Sequence, residues 1–385
     1  MAMAATLSRR SFLGGGLALA AALAGCATPT APGAGALPGR LVWSTYRVGS
    51  GLYADVAAVA NTLTSRMGVQ VRVMPGVTGV SRLAPLFTDT AQYARVGDEY
   101  FFAFEGDEEF ASGTWGPQPV RLVWTPPSNA GVYVRRDSGI ERLEGLAGRR
   151  ISWVVAGTST QRKFTACLGT AGLGVDDVRR VAVGEAAQYD AIKAGQIEAI
   201  FGTVINPSIE ELNPRYPIRW LDLGGRPEER YESWAEYAPM AGLGTNPKAS
   251  GLPEDETPTF MRYSLPVVTT AGRSAAEVAD LCRALYEHFD AYEAATADTP
   301  NFALDRLMLE PFVVPYHPGA VEFLREAGRW DAHLEERNAA LLEREGLLRG
   351  AWPGFFERHR GDGEISRRWR DFKAERLPAL PEREA

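Results

Sequence analysis

Residues 149–165, RRISWVVAGTSTQRKFT, hold the types and spacing most suited to binding chemistry. Ile151 to Val155 is an apolar, β-branched run that suits a strand buried on both faces. Gly157 permits a tight turn, and Thr158, Ser159 and Thr160 are good N-cap residues for the helix that Phe164, Cys167, Leu168 and Ala171 outline. A strand that turns into a helix through small hydroxyl residues leaves backbone N–H groups pointing out of the turn. Together with the positive end of the helix dipole they favour a carboxylate or phosphate. An ordinary capped turn would use the same residues, so the turn's neighbours decide between the two.

Other chemistries leave fewer traces. The chain has three cysteines (Cys26, Cys167, Cys282) without CxxC spacing, and its four histidines (His288, His317, His333, His359) are scattered through the last third. Neither pattern outlines a metal site. An enzyme needs an activated nucleophile or a metal, and neither a Gly-x-Ser-x-Gly elbow nor a His-Glu-x-x-His pair occurs. No enzyme, cofactor or metal is expected. With 385 residues, a net charge of −7 and both signs dispersed, the chain has length for two domains and no basic stripe for nucleic acid.

The elements that must position such turns follow in order. Leu41 to Thr45 reads as a strand; Tyr46-Arg47-Val48-Gly49-Ser50-Gly51 follows, then a helical face of Leu52, Val56, Val59 and Leu63. Val69 to Met74 is a second strand, leading through Pro75–Arg82 into a helix with Leu83, Leu86 and Phe87. The aromatic cluster 100–104 is core or pocket wall. Strands at 121–124 and 131–135 flank the stiff connector Thr125-Pro126-Pro127. Val181–Val183, a helix over 185–194 and Ile197–Phe201 form a βαβ unit, which implies a parallel sheet. Asn206 follows that last strand's C-terminal end, where open α/β sheets place ligands. Ile218–Leu223 is a strand, and Pro266–Thr270 returns to the first unit. Ser274 and Glu277 form a capping box, and His317 starts a helix running from Ala320 to Glu345. Residues 347–385 read as a helical or partly ordered appendage.

The N-terminus reads as an export signal. Ser8-Arg9-Arg10-Ser11-Phe12-Leu13 is similar to a twin-arginine motif, and an apolar run from Gly14 to Leu23 is too short to span a bilayer. Leu23-Ala24-Gly25-Cys26 resembles a lipobox, which implies that Cys26 is lipidated and the protein is anchored to a membrane in the periplasm. Residues 27–39 make a flexible tether. Twin-arginine cargo is typically folded before export, so Cys167 and Cys282 are expected as buried thiols rather than a disulfide.

Taken together, residues 41–330 resemble the substrate-binding subunit of a tripartite ATP-independent periplasmic (TRAP) transporter of the TAXI type. The matching stretches are Ser50-Gly51-Leu52-Tyr53, Gly76-Val77-Thr78-Gly79-Val80-Ser81, 134–140 with Leu143, 146–151, Gly157-Thr158-Ser159-Thr160, 189–201 and His317-Pro318-Gly319-Ala320. The resemblance implies an α/β, type II periplasmic-binding-protein fold with two lobes, crossing hinge strands and a C-terminal helical extension. Lobe 1 is expected at 40–126 and 225–318, lobe 2 at 127–224, and the C-terminal helices and tail at 319–385. It further implies a small anionic solute, such as an organic acid or amino acid, and docking onto integral membrane TRAP permease subunits. The candidate ligand-binding residues are Arg47, Gly49, Ser50, Tyr53, Gly76, Thr78, Ser81, Thr158, Ser159, Thr160 and Asn206. Tyr46-Arg47-Val48 replaces the family's usual run of glycines, and Gly97-Asp98-Glu99 replaces its Gln-Ser pair. Arg47 offers a cation to a carboxylate or pairs with Asp98, and the sequence leaves both open. A ligand-sensing lipoprotein uncoupled from transport is the other reading. Ligand identity and oligomeric state are not encoded legibly.

Overall fold

The computed structural model describes residues 37–381. The export segment, Cys26 and the tether up to residue 36 lie outside the described residues. Leu37, assigned to the tether from sequence, already packs against the core.

The chain begins with β1 (Arg40–Thr45), α1 (Gly51–Met67), β2 (Gln70–Pro75), α2 (Gly79–Phe87), β3 (Tyr93–Arg95), α3 (Glu99–Glu105) and β4 (Val120–Trp124). It then crosses into β5 (Pro127–Arg135), β6 (Arg150–Val154), α4 (Thr158–Thr170), β7 (Arg179–Val183), α5 (Gln188–Lys193), β8 (Ala199–Thr203), α6 (Pro207–Leu212), β9 (Ile218–Leu221), α7 (Ser233–Tyr237), β10 (Gly242–Thr245) and β11 (Thr259–Ser264). It returns through β12 (Val267–Thr270) and closes with α8 (Ala275–Glu287), α9 (Pro318–Glu326), α10 (Ala332–His359) and α11 (Ile365–Arg376).

Two sheets result. The first has the order β2-β1-β3-β12-β4, with β1 parallel to β2 and β3, and β12 antiparallel to both neighbours. The second runs β10-β11-β5-β8-β6-β7, with β9 also pairing β5. This second sheet is mixed: β6 is parallel to β7 and β8, whereas β5 is antiparallel to β8, β9 and β11. Each sheet is covered by helices, giving the two-lobed α/β arrangement of a type II periplasmic-binding-protein fold. The chain passes between lobes at Thr125-Pro126 and again at Leu265-Pro266. The two crossings lie side by side, Leu265 N donating to Pro126 O at 3.2 Å and Ser264 Oγ to the same oxygen at 3.1 Å.

The return crossing corrects the expected boundary. Residues 242–264 were assigned to lobe 1, yet β10 and β11 extend the second sheet. The Gly-Leu-Gly-Thr sequence of β10 has little intrinsic strand character, and it is an edge position paired to β11 that makes it one. A second correction concerns the helix expected over 320–345. It is broken into α9 and α10 by Gly328, whose φ of +67° is left-handed. The tail is neither loose nor peripheral. Trp369 of α11 is fully buried, stacks on Phe372 and meets Trp352 of α10 edge-on.

The core residues are largely those that strand and helix periodicity selects. Val56, Val59 and Leu63 of α1 are buried beneath the first sheet, with Trp43 and Tyr93 packed together on adjacent strands. Cys167 and Cys282 are free and buried, and burial raises both thiol pKa values far above the ordinary range.

Candidate functional site

Three strand–turn–helix units point their turns at one cleft of about 460 Å³ between the lobes. Lobe 1 contributes 46–52 and 77–79; lobe 2 contributes 154–160 and the stretch around Asn206. Convergence follows from topology, because in each sheet the turns at the C-terminal ends of parallel strands (β1 and β2 in one, β6 in the other) open on the cleft.

The three helix starts differ in how their N–H groups are used. At α1, Ser50 is the N-cap and its hydroxyl accepts from Tyr53 N at 3.2 Å, after Gly49 turns the chain with φ +85°. At α2, Thr78 and Ser81 form a capping box: Ser81 N donates to Thr78 Oγ1 at 3.1 Å, and Thr78 N to Ser81 Oγ at 2.9 Å. At α4 the N-cap is Gly157, which has no side chain to give. Thr158, Ser159 and Thr160 are therefore the first turn of the helix, not its caps as expected from sequence. Thr158 donates its hydroxyl to Glu109 of the other lobe, and Ser159 Oγ accepts from Lys163 Nζ at 3.1 Å.

The cations of the cleft all have carboxylate partners. Arg47, about one-third exposed, faces Glu185 of lobe 2 at 3.9 Å. The alternative pairing with Asp98 is not what the structure shows: Asp98 Oδ1 receives Lys163 Nζ at 2.5 Å. That pair joins the lobes and is buried, with Lys163 also lying 3.9 Å above the Tyr263 ring. Arg82 pairs with Glu99 and lies 3.9 Å above the Tyr46 ring. Burial pushes the Glu99 carboxyl up, but the charge and hydrogen bond of Arg82 outweigh it and hold the group below its ordinary pKa. At Asp98 the balance goes the other way: burial raises the pKa more than Lys163 lowers it. Asp298, at the cleft wall, is raised to about 6 by burial and by Asp55, against the opposing pull of Arg95. Gly97 makes room for this floor; a Cβ there would come within 2.5 Å of Tyr46 Oη.

With the two lobes, the cleft and its turns in view, the family can be assigned. A family model described as the NMT1-like family matches residues 46–328. The chain belongs to the NMT1-like family. The match starts just after β1, takes in the turns of the cleft and the whole of lobe 2, and stops ahead of α10. No curated protein matches the chain in sequence. Among solved structures, the chain is similar to the alkanesulfonate-binding protein SsuA from Xanthomonas axonopodis pv. citri bound to MOPS, at 15% identity and TM-score 0.43, over 90% of this chain and 96% of that one. It is also similar to the periplasmic aliphatic sulphonate binding protein SsuA from Escherichia coli, at 14% identity and TM-score 0.43, over 90% and 95%. A third similarity is to the GluR0 ligand-binding core from Nostoc punctiforme in complex with (L)-glutamate, at 9% identity and TM-score 0.41, over 66% and 96%. Likenesses this distant decide neither ligand nor partner.

Within this NMT1-like cleft, Arg47, Gly49, Ser50, Thr78, Thr158, Ser159, Thr160 and Asn206 line the wall. Tyr53, Gly76 and Ser81 do not. Ser81 is spent on the α2 capping box, and Gly76 lies buried behind that turn. Asn206 caps α6 through Oδ1 to Ser208 N at 3.0 Å and donates Nδ2 to Tyr189 Oη at 2.8 Å. Sequence reasoning missed Arg82 and Lys163 as cleft cations. The signal was present: each stands four residues after a turn hydroxyl (Thr78, Ser159), the spacing that puts both on one helix face.

Proposed function

We propose that this protein is an extracytoplasmic solute receptor that binds a small anionic organic compound, an organic acid or amino acid, in the interlobe cleft. We further propose that it delivers that solute to the membrane permease of a TRAP transporter, and that it is an exported lipoprotein anchored through Cys26. The single observation that carries the binding reading is the convergence of the α1, α2 and α4 N-termini on one cleft, with α4 left uncapped by any side chain. Free N–H groups and a helix dipole facing a cleft attract an anion. In this reading the anion sits at Thr158–Thr160, with Arg47, Gly49, Ser50 and Thr78 on the facing lobe and Asn206 at the side. Tyr53, Gly76 and Ser81 act on the turns rather than on the solute. Coupling to a TRAP permease rests on the resemblance of the sequence motifs.

A thermal-shift screen of organic acids and amino acids tests the binding reading. A solute at about a hundredfold over its dissociation constant stabilises by roughly 2.7 kcal/mol. A few anions should raise the melting temperature and be recovered unchanged after incubation. Conversion of a hit into product would replace the receptor reading with an enzyme, and a flat response across the panel would remove the anion.

A further inference from the structure

We propose that the last helix, α11, holds the two lobes against each other by positioning one residue of lobe 1, Glu108. This goes beyond the solute reading and does not depend on it. Glu108 Oε1 accepts from Arg162 Nη1 of α4, in lobe 2, at 2.7 Å, and from Arg370 Nη1 of α11 at 2.7 Å. Its backbone is left-handed, with φ +50°, a conformation that an L side chain rarely adopts without local support. Support comes from α11: Glu108 N donates to Ser366 Oγ at 3.0 Å, and Arg370 Nη1 also donates to Ser366 Oγ at 2.9 Å. One helix face thus fixes both the backbone and the carboxylate of the residue that reaches lobe 2.

The attachment of α11 to this segment is extensive. Lys373 Nζ reaches Glu105 Oε2 at 2.7 Å and both oxygens of Asp107 at 2.9 Å, and Trp369 Nε1 donates to Glu105 O at 2.7 Å. Arg344 of α10 adds two bonds to the Glu105 carboxylate, at 2.7 and 2.8 Å. Residues 105–108 are therefore clamped from behind by a part of the chain that lies beyond the family match. The next residue, Glu109, accepts the Thr158 hydroxyl at the start of α4. Ser366 and Arg370 are positioning residues: neither lines the cleft, and among the described residues their hydrogen bonds converge on Glu108, through which they act. A conformation fixed in this way costs less entropy when the lobes meet.

The experiment measures lobe separation directly, on the protein without added solute. Nitroxide labels go on Arg66→Cys in lobe 1 and Asp176→Cys in lobe 2, both exposed, in a Cys26→Ser chain where the remaining thiols are buried. Double electron–electron resonance then reads the distance distribution. Arg162→Gln should lower the closed-to-open ratio roughly two- to fivefold, the effect of a partly exposed ion pair. Arg370→Gln and Ser366→Ala should do the same, whereas Arg367→Gln, on the solvent face of α11, should not. Circular dichroism confirms folding, and Ser366→Ala, which removes a single oxygen, serves if Arg370→Gln does not fold. An unchanged distribution in Ser366→Ala and Arg370→Gln beside a widened one in Arg162→Gln would overturn the role of α11. No change in Arg162→Gln would overturn the bridge itself.

Discussion

Arg47 and Lys163 show how burial sets the role of a cation. Arg47 is partly exposed, and its nearest acid, Glu185, is half exposed at 3.9 Å, a separation at which screening leaves little attraction. A solute carboxylate can take Arg47 from Glu185 cheaply. Arg47→Ala is expected to weaken binding of an anion from the screen about tenfold, the low end for a charge-assisted bond, and Glu185→Gln to tighten it. Isothermal titration of both variants decides; equal binding by Arg47→Ala would leave the anion to the backbone N–H groups alone. Lys163 is the opposite case. Its pair with Asp98 is dry and joins the lobes, so Lys163→Met leaves a buried carboxylate without its counter-charge, at a cost of roughly 3–5 kcal/mol near neutral pH. Loss of Lys163 raises the Asp98 pKa further. A raised carboxyl costs stability as pH rises through the folded pKa, so the deficit should shrink in acid. Adding Asp98→Asn should recover most of it, by urea unfolding. A deficit that is flat with pH would mean that Asp98 does not carry the effect.

At the scale of elements, α9 supplies the clearest pH test. His317 is its N-cap, with Nδ1 accepting from Gly319 N at 3.1 Å and Nε2 facing Arg273 O at 3.1 Å, an arrangement that requires the neutral ring. Burial lowers its pKa from 6.5 to about 4, outweighing the upward pull of its bond to Arg273 O. The unfolded chain therefore binds more protons than the fold between these values. The stability is present above pH 6.5 and is lost as pH falls through 4, a change of roughly 3 kcal/mol. Asp298 acts in the opposite sense over part of the same window: its carboxyl, raised to about 6, regains stability as pH falls below that value. The two partly cancel in the wild type, so the acid limb alone reveals neither. The difference between wild type and His317→Asn isolates the histidine: it should narrow by roughly 3 kcal/mol from pH 7 to pH 4 in urea unfolding. A constant difference would show that the ring is not held neutral.

Taken whole, the described part of the protein is two lobes bridged at several points. Lys163–Asp98, Arg162–Glu108, Arg47–Glu185 and Thr158–Glu109 each join one lobe to the other. Behind lobe 1, α10 and α11 complete the core instead of trailing from it: Trp352, Phe355 and Trp369 are buried together, and Arg344 and Lys373 neutralise Glu105. That neutralisation overrides the cost of burial and lowers the Glu105 carboxyl pKa to about 2. Among the described residues, no helix is long and apolar enough to cross a membrane. In the proposed receptor, membrane attachment is assigned to Cys26 on the lipobox resemblance alone. In a bacterial host, Cys26→Ser and globomycin should each release the protein from the membrane fraction, and retention under both would remove the lipid anchor.

The sequence by itself determined the local units. Apolar periodicity located β1, β2, β6 and β8 and the buried face of α1, and small-residue turns marked the three places where helices begin at the cleft, because these depend on interactions within a few residues. The motif order that resembles a TAXI-type binding subunit then implied a two-lobed fold. Tertiary structure decided what required a distant partner. β10 is a strand only because β11 lies beside it, and Gly157 rather than Thr158 became the cap of α4. Asp98 chose Lys163 over Arg47, although 65 residues separate that pair. Residues 347–385 read from sequence as a helical or partly ordered appendage, and the pairing of Lys373 with Glu105 and Asp107 was hidden, since composition does not say which arginines and lysines meet a carboxylate in a dry interface. Charge pairing in a folded chain is set by which surfaces the sheets bring together, and that information is spread over the whole molecule.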